Sequence, residues 1–366
     1  MSIKTNLFKS ISQKPHFGTE KDSMNMETNS EKELFSLLEP VEACLNDYDK
    51  ARLWTRIKKD ALRMRALRRT AIIAGTLAAA MITGVVIFFS GAKQDSELQY
   101  ISGVMPEAGG DIRIITPEDA VEIGSNAVIS YADGYFSVKD STETRTYDIK
   151  RSGDIHQITV PFGKTASLNL SDGTKMQLNS GTKVIFKAGM NGRKREIFLN
   201  GEAFLDVAHD ENRPFKVKTD RLDVSVLGTR FNVKAYPSDE QQSVVLVSGK
   251  VSVTGNLLDR DYLMNPAQRF CYNSSNCNVS LDAVDTDDYT CWTEGILKFN
   301  RTNIKDVLMQ LSRYYNAKFS YGSTVTGIAI TGKLDLRDGI DAALESISLV
   351  SGIKYKGRHL VYEITK

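Results

Sequence analysis

Four histidines, His16, His156, His209 and His359, are the first place to look for chemistry in this chain. They are scattered from end to end, and no local spacing gathers them into a metal site or a nucleophile–base arrangement. The patterns HExxH, GxSxG, GxGxxG and the phosphate-binding P-loop do not occur. The paired carboxylates Asp287 and Asp288 sit in a polar, acidic stretch, where adjacent charges serve solvation rather than an acid–base division of labour. Nothing here gives a reason to expect a conventional enzyme, a cofactor or a bound metal.

One peptide bond is chemically distinctive. In "RLDVSVLGTRFNVKAY" the apolar residues Leu222, Val224 and Val226 occupy even positions, and Leu227, Phe231 and Val233 then occupy odd ones. The inward face has changed parity, which requires an extra residue between the halves, and Gly228 accommodates a bulge most easily. Thr229 follows it. At a strained Gly-Thr bond the hydroxyl can attack the Gly228 carbonyl, so that an ester forms as the amide breaks and water then cleaves the chain. The structural alternative, a bulge at the corner of a sandwich, accounts for the parity change without chemistry.

The elements that would position this bond read as strands. "LNLSDGTKMQLN" places Leu168 and Leu170 on one face, turns at Asp172-Gly173, and returns with Met176 and Leu178. Asp-Gly between alternating runs predicts a hairpin, because both turn residues need positive φ. "IFLNGEAFLDV" predicts a second at Asn200-Gly201, and "VVLVSGKVSV" a third at Ser248-Gly249. With no helical run between them, these predict an antiparallel all-β, sandwich-like domain from about 100 to 270. Its first part, 91–155, is weaker in pattern and reads as a β linker or first strand layer preceding the main domain at 156–270. "CYNSSNCNVSLDAVDTDDYTCW", 271–292, reads as a linker. Beyond it the period changes: a strand "GILKF", a helix marked by Ile304, Val307, Leu308, Leu311 and Tyr315, the strands "AKFSY" and "IAITGKLD", a second helix, and a closing hairpin of "IKYKG" and "LVYEIT". That is a compact α+β unit over 293–366.

Upstream the chain is different. From Ala71 to Phe89 runs a stretch of 19 residues without a charge. As a helix it would span about 28 Å, close to the hydrocarbon core of a bilayer. The sequence therefore predicts a single membrane helix over 71–90; a buried core helix is the alternative, and a signal peptide would need far too long a charged leader. Arg63, Arg65, Arg68 and Arg69 precede the run, so the rule that basic flanks stay inside places the N-terminus in the cytoplasm and the long remainder outside. Residues 1–30 are polar and aperiodic and predict a disordered tail. In 31–70, Leu34, Leu37, Leu38 and Val41 form one helical stripe, and Trp54, Ile57, Ala61 and Met64 a second. Two short amphipathic helices cannot bury both stripes alone; either a partner covers them or the segment is only a stalk. Cys44 falls inside. Of Cys271, Cys277 and Cys291 outside, the first two are near enough in sequence to bridge, and unpaired thiols are the alternative.

Several phrases together resemble the FecR family of transmembrane sensors and anti-sigma factors of Gram-negative bacteria: "LNLSDGTKMQLNSGTKV", "IFLNGEAFLDVAHDENRPFKVKT", "VSVLGTRFNVKAY" and "LVSGKVSV". "MNPAQRF" looks like the family's Pro-Gly-Gln element with Ala267 in place of Gly. "CWTEGILKFNRTNIKDVLMQLSRYYNAKFSY" is similar to the C-terminal domain of such proteins, a relative of the secretin and TonB N-terminal short (STN) domain. The resemblance implies an inner-membrane protein whose cytoplasmic stripes (Leu34, Leu37, Leu38, Val41, Trp54 and Ile57) hold an ECF sigma factor away from RNA polymerase. It implies a periplasmic part that contacts the signalling domain of a TonB-dependent outer-membrane transporter, release by membrane proteases, and no direct contact with nucleic acid. Some relatives cut themselves at a Gly-Thr bond in the phrase that here holds Gly228-Thr229. An exposed edge of "IAITGKLD" or "LVYEIT" would receive a transporter strand. A membrane-tethered scaffold in the periplasm, without sigma-factor binding, is the other reading of the same layout.

Overall fold

A computed structural model describes residues 110–140, 143–190 and 192–366. The expected tail, helical region, membrane span and approach to the first strand lie outside the described residues, and with them Leu34, Leu37, Leu38, Val41, Trp54 and Ile57. Among the described residues no helix is long and apolar enough to cross a membrane.

Alternating buried and exposed side chains build the first module. Its strands are β1 (Ile112–Ile115), β2 (Ala120–Ile123), β3 (Val128–Ala132), β4 (Tyr135–Lys139), β5 (Thr144–Asp148), β6 (Ile155–Val160), β7 (Ala166–Asn169), β8 (Lys175–Leu178), β9 (Thr182–Lys187) and the long β10 (Arg195–Asp206). There follow β11 (Phe215–Lys218), β12 (Asp223–Val226), β13 (Arg230–Ala235), β14 (Gln241–Ser248), β15 (Val251–Thr254), β16 (Tyr262–Met264), β17 (Gln268–Asn273) and β18 (Asn278–Ala283). Pairing makes two sheets. One runs β2-β1-β6-β9-β10-β11-β12-β15-β16, the other β5-β4-β3-β7-β8-β10-β13-β14-β17-β18. A single apolar core lies between them, with Ile114, Ile158, Leu168, Leu178, Leu199, Leu205, Phe215, Phe231, Val244 and Phe270 fully buried. Each such side chain contributes about 1.5–3 kcal/mol of burial.

β10 joins the sheets. Its first half pairs with β9 and β11, its second with β8 and β13. Asn200-Gly201, where the sequence predicts a hairpin, is a bend within one continuous strand. Gly201 has φ +119°, and a Cβ there would lie 2.5 Å from Thr182 Oγ1. That hydroxyl donates to the Glu202 carbonyl at 3.0 Å and accepts from its N–H at 3.0 Å, clamping the bend. The turn at Asp172-Gly173 is a hairpin as expected, with Leu168 opposite Met176. Ser248-Gly249 is not: β14 belongs to one sheet and β15 to the other, so this turn is a crossing between layers. The strands before 155 are no separate layer either, since β1 and β2 extend one sheet and β3 to β5 the other. Nor is 271–292 a linker. Cys271 lies in β17, β18 pairs with β17 along its length, and only then come α1 (Asp287–Thr290) and a 3-10 turn at Cys291–Glu294.

The second module follows the expected order. β19 (Ile296–Asn303) leads into α2 (Ile304–Tyr315), β20 (Lys318–Tyr321), β21 (Ala329–Asp335), α3 (Ile340–Ser351), β22 (Lys354–Arg358) and β23 (Val361–Thr365). The Asn303 side chain caps α2 by accepting from Lys305 N at 2.9 Å. Ile304, Val307, Leu308 and Leu311 of α2 and Ala343, Leu344 and Ile347 of α3 bury against the strands. β19 pairs with β21; the other three strands run β20-β23-β22. "LVYEIT" is thus a central strand with both edges taken, whereas "IAITGKLD" keeps one edge unpaired among the described residues.

Candidate functional site

The Gly228-Thr229 bond lies where the chain passes from β12 in one sheet to β13 in the other. This is a corner between layers, not a bulge within a strand; the register irregularity falls one step later, at Arg230/Phe231 against β14. Backbone hydrogen bonds pin the corner: Asp210 N donates to Leu227 O at 2.8 Å and Val207 N to Thr229 O at 3.0 Å. Thr229 is buried, and its hydroxyl donates to Lys250 O at 2.9 Å. Gly228 is needed for close approach, since a Cβ would stand 2.6 Å from His209 Nδ1 and 2.7 Å from His209 Cα. The segment carrying His209 is itself held by two arginines. Buried Arg195 donates to Arg213 O and Ala208 O, each at 2.7 Å, and pairs with buried Asp172 at 3.2 Å. Arg213 donates to Asp210 at 2.7 Å and holds that carboxyl below its ordinary value. The arrangement supplies rigidity; Thr229 Oγ1 faces a carbonyl, which fixes its proton and takes none from it.

Cys271, Cys277 and Cys291 are free thiols. Tyr272 points into the sandwich core and neighbouring Cys271 to the opposite face, where its thiol meets Gln241 Oε1 at 3.5 Å. Cys277 lies at the exposed tip of the β17–β18 hairpin, on the Tyr272 side. Alternation along β17 therefore keeps the two sulfurs apart, and burial pushes the Cys271 and Cys291 thiols up.

A larger site was not marked in the sequence: the junction of the two modules. Arg313, 6% exposed on α2, reaches across to the β13–β14 turn. Both its Nη atoms engage the Asp239 carboxylate, with Nη1–Oδ2 at 3.1 Å, and Nη2 also meets Ser238 Oγ at 3.1 Å. Its guanidinium stacks 3.7 Å from the Tyr236 ring centroid, and its backbone carbonyl accepts from Gly163 N at 2.8 Å. A few residues away, Trp292 Nε1 donates to Asn232 Oδ1 at 3.1 Å, Asn232 donates to Glu202 at 3.0 Å, and Asn179 donates to the other Glu202 oxygen at 2.9 Å. Phe204, on the outer face of β10, packs into the core of the second module. Beside these contacts opens a groove of about 820 Å³, lined by Lys234, Arg269, Trp292, Phe299, Lys305 and Asp306 among others. Burial raises the Asp306 carboxyl, opposed by the nearby Lys234 and Lys305 ammonium groups. Among the described residues no group of histidine, cysteine or carboxylate side chains could hold a metal ion.

Comparison with known proteins places these features. Residues 156–252 match the model of the FecR protein, and residues 296–362 that of FecR, C-terminal. A crystal structure at 1.65 Å of a candidate anti-sigma factor from Parabacteroides distasonis ATCC 8503 is 33% identical, with a TM-score of 0.54. The alignment spans 57% of this chain and 98% of that one. The chain belongs to the FecR family. A second crystal structure of an anti-sigma factor candidate from the same organism, at 2.50 Å, gives 33% identity and a TM-score of 0.55 over 58% of this chain and 99% of that one. No curated protein matches. The FecR match runs from β6 to β15 and takes in Gly228, Thr229 and Asp239; the C-terminal match runs from β19 to β23 and takes in Arg313. The junction thus joins one FecR segment to the other, with Trp292 between them.

Proposed function

We propose that this FecR-family protein is a signal-transducing anti-sigma factor. The observation that carries the reading is the match of both of its modules, in order, to FecR segments, together with a candidate anti-sigma factor aligned over 98% of its length. In this reading the cytoplasmic stripes hold an ECF sigma factor, and the apolar run at 71–89 crosses the inner membrane. The two outer modules receive a signal from a TonB-dependent transporter, whose strand pairs with the open edge of β21. Proteolysis at the membrane then frees the sigma factor.

Purification of the full-length chain from cells tests it directly. A sigma factor should copurify with the wild type and be lost with Leu37→Glu and Trp54→Ala combined, while the chain level stays constant. Retention of the same sigma factor by the doubly substituted chain would remove the stripes from the interaction, and absence of any sigma factor from the wild type would leave a membrane-tethered scaffold.

A further inference from the structure

The register of the three-stranded sheet in the second module brings cations together. Lys318 lies opposite Val361 and Val361 opposite Arg358; Ser320, Glu363 and Lys356 form the next row, and Thr365 and Lys354 the last. All of these are exposed, while Phe319, Tyr355, Tyr362 and Ile364 turn to the core. Lys318, Lys354, Lys356 and Arg358 therefore share one face with a single carboxylate, Glu363. With strands about 4.8 Å apart and alternate residues about 6.6 Å apart, each of these cations stands within about one Debye length of at least one other. Among the described residues none of the four makes an ion pair, although Arg113, Arg195, Arg213, Lys298 and Arg313 elsewhere do. Like charges on one sheet face oppose folding, so the array is no folding device.

Apolar side chains rim the same face. Val361 is 56% exposed and Leu360 39%, at the tip of the β22–β23 hairpin. His359 and Leu360 have φ of 51° and 64°, the left-handed pair that Asn-Gly would fill with less strain, so the turn displays a leucine against its conformational preference.

We propose that this face docks on an anionic lipid surface, with the cations against acidic headgroups and Leu360 and Val361 entering the headgroup layer. Lysine-rich charge combined with exposed aliphatics is the chemistry that holds a protein to an anionic interface. None of these residues lines the groove between the modules, so the face is distinct from that groove. The proposal rests on the membrane-anchored reading above, in which the apolar run at 71–89 crosses the bilayer.

Amide exchange of the full-length chain tests it, in bilayer discs of phosphatidylcholine alone and of phosphatidylcholine with phosphatidylglycerol. Residues 354–363 should exchange about tenfold more slowly in the anionic discs. The difference should vanish at high salt and in Lys318→Gln/Lys354→Gln/Lys356→Gln, and persist in Lys139→Gln/Lys175→Gln/Lys250→Gln. Equal exchange in both discs, protection insensitive to salt, or protection by soluble polyglutamate but not by anionic lipid would each overturn the proposal, the last in favour of an acidic protein. If the chain instead stays soluble without detergent, the anchored reading fails on its own, and the same comparison with added vesicles still decides the face.

Discussion

At Gly228 and Thr229 the geometry argues for an anchor. A methyl group on Gly228 would have to displace the His209 backbone, so Gly228→Ala should cost about 1–3 kcal/mol of stability. Thr229→Ala leaves Lys250 O without its buried donor and should cost about 1–3 kcal/mol. Urea titrations should show both as lower midpoints with unchanged slope. Wild type and Thr229→Ala should run as single bands of equal length; a wild type split after Gly228 and an intact Thr229→Ala would instead assign the bond acyl-shift chemistry. His156 carries a different test. Burial in the core, partly opposed by the Asp154 carboxylate, lowers its pKa from 6.5, and its Nδ1 meets Tyr131 Oη at 2.9 Å. Below about pH 6.5 the unfolded chain takes up a proton that the folded one refuses, so stability must fall as pH falls through that value. The drop in urea midpoint from about pH 7.5 to about pH 5.5 should be smaller in His156→Asn.

At the scale of elements, three dipeptides looked alike and built three different things. Asp172-Gly173, Asn200-Gly201 and Ser248-Gly249 each separate alternating apolar runs, and each glycine has positive φ. The first is a hairpin, the second a bend in β10, and the third a crossing between sheets. The signal in the residues is the left-handed backbone; which strand the chain pairs with next depends on contacts far away in sequence, and local pattern does not carry that. The parity switch from Val226 to Phe231 was legible as a change of inward face, and the corner is its cause. Helices α2 and α3 were legible throughout because their apolar stripes are contained within a few turns. The edge at "LVYEIT" was not, since β20 pairs with β23 in parallel across some forty residues. The bend itself is testable: Gly201→Ala adds strain at φ +119° and a clash with Thr182, and should cost about 3 kcal/mol or more. Gly173→Ala meets only Ala208 Cβ at 3.6 Å and should cost about 1–2 kcal/mol. Thermal melts of the two variants should rank in that order.

For the molecule as a whole, the junction decides whether the two modules behave as one unit or as two. Arg313 and Asp239 are 74 residues apart in sequence, so nothing near either residue marks the pair. Arg313 sits off the apolar stripe of its helix and reads as an ordinary surface charge until the fold covers it. Once buried, the pair is asymmetric in its energetics: removing Arg313 leaves the Asp239 carboxylate facing Lys234 at 4.0 Å, at a cost approaching about 3 kcal/mol, whereas removing both forfeits much less. Arg313→Leu should therefore weaken the joint more than Arg313→Leu with Asp239→Leu. The readout follows from the architecture. Two modules locked by Arg313, Trp292 and Phe204 should melt in one calorimetric transition, and Arg313→Leu should separate it into two, because each module keeps its own apolar core. Adding Asp239→Leu should bring the two transitions back toward one another. Two transitions already present in the wild type would mean that the modules move independently, and the proposed relay would then have to run through the chain connecting them rather than across their faces.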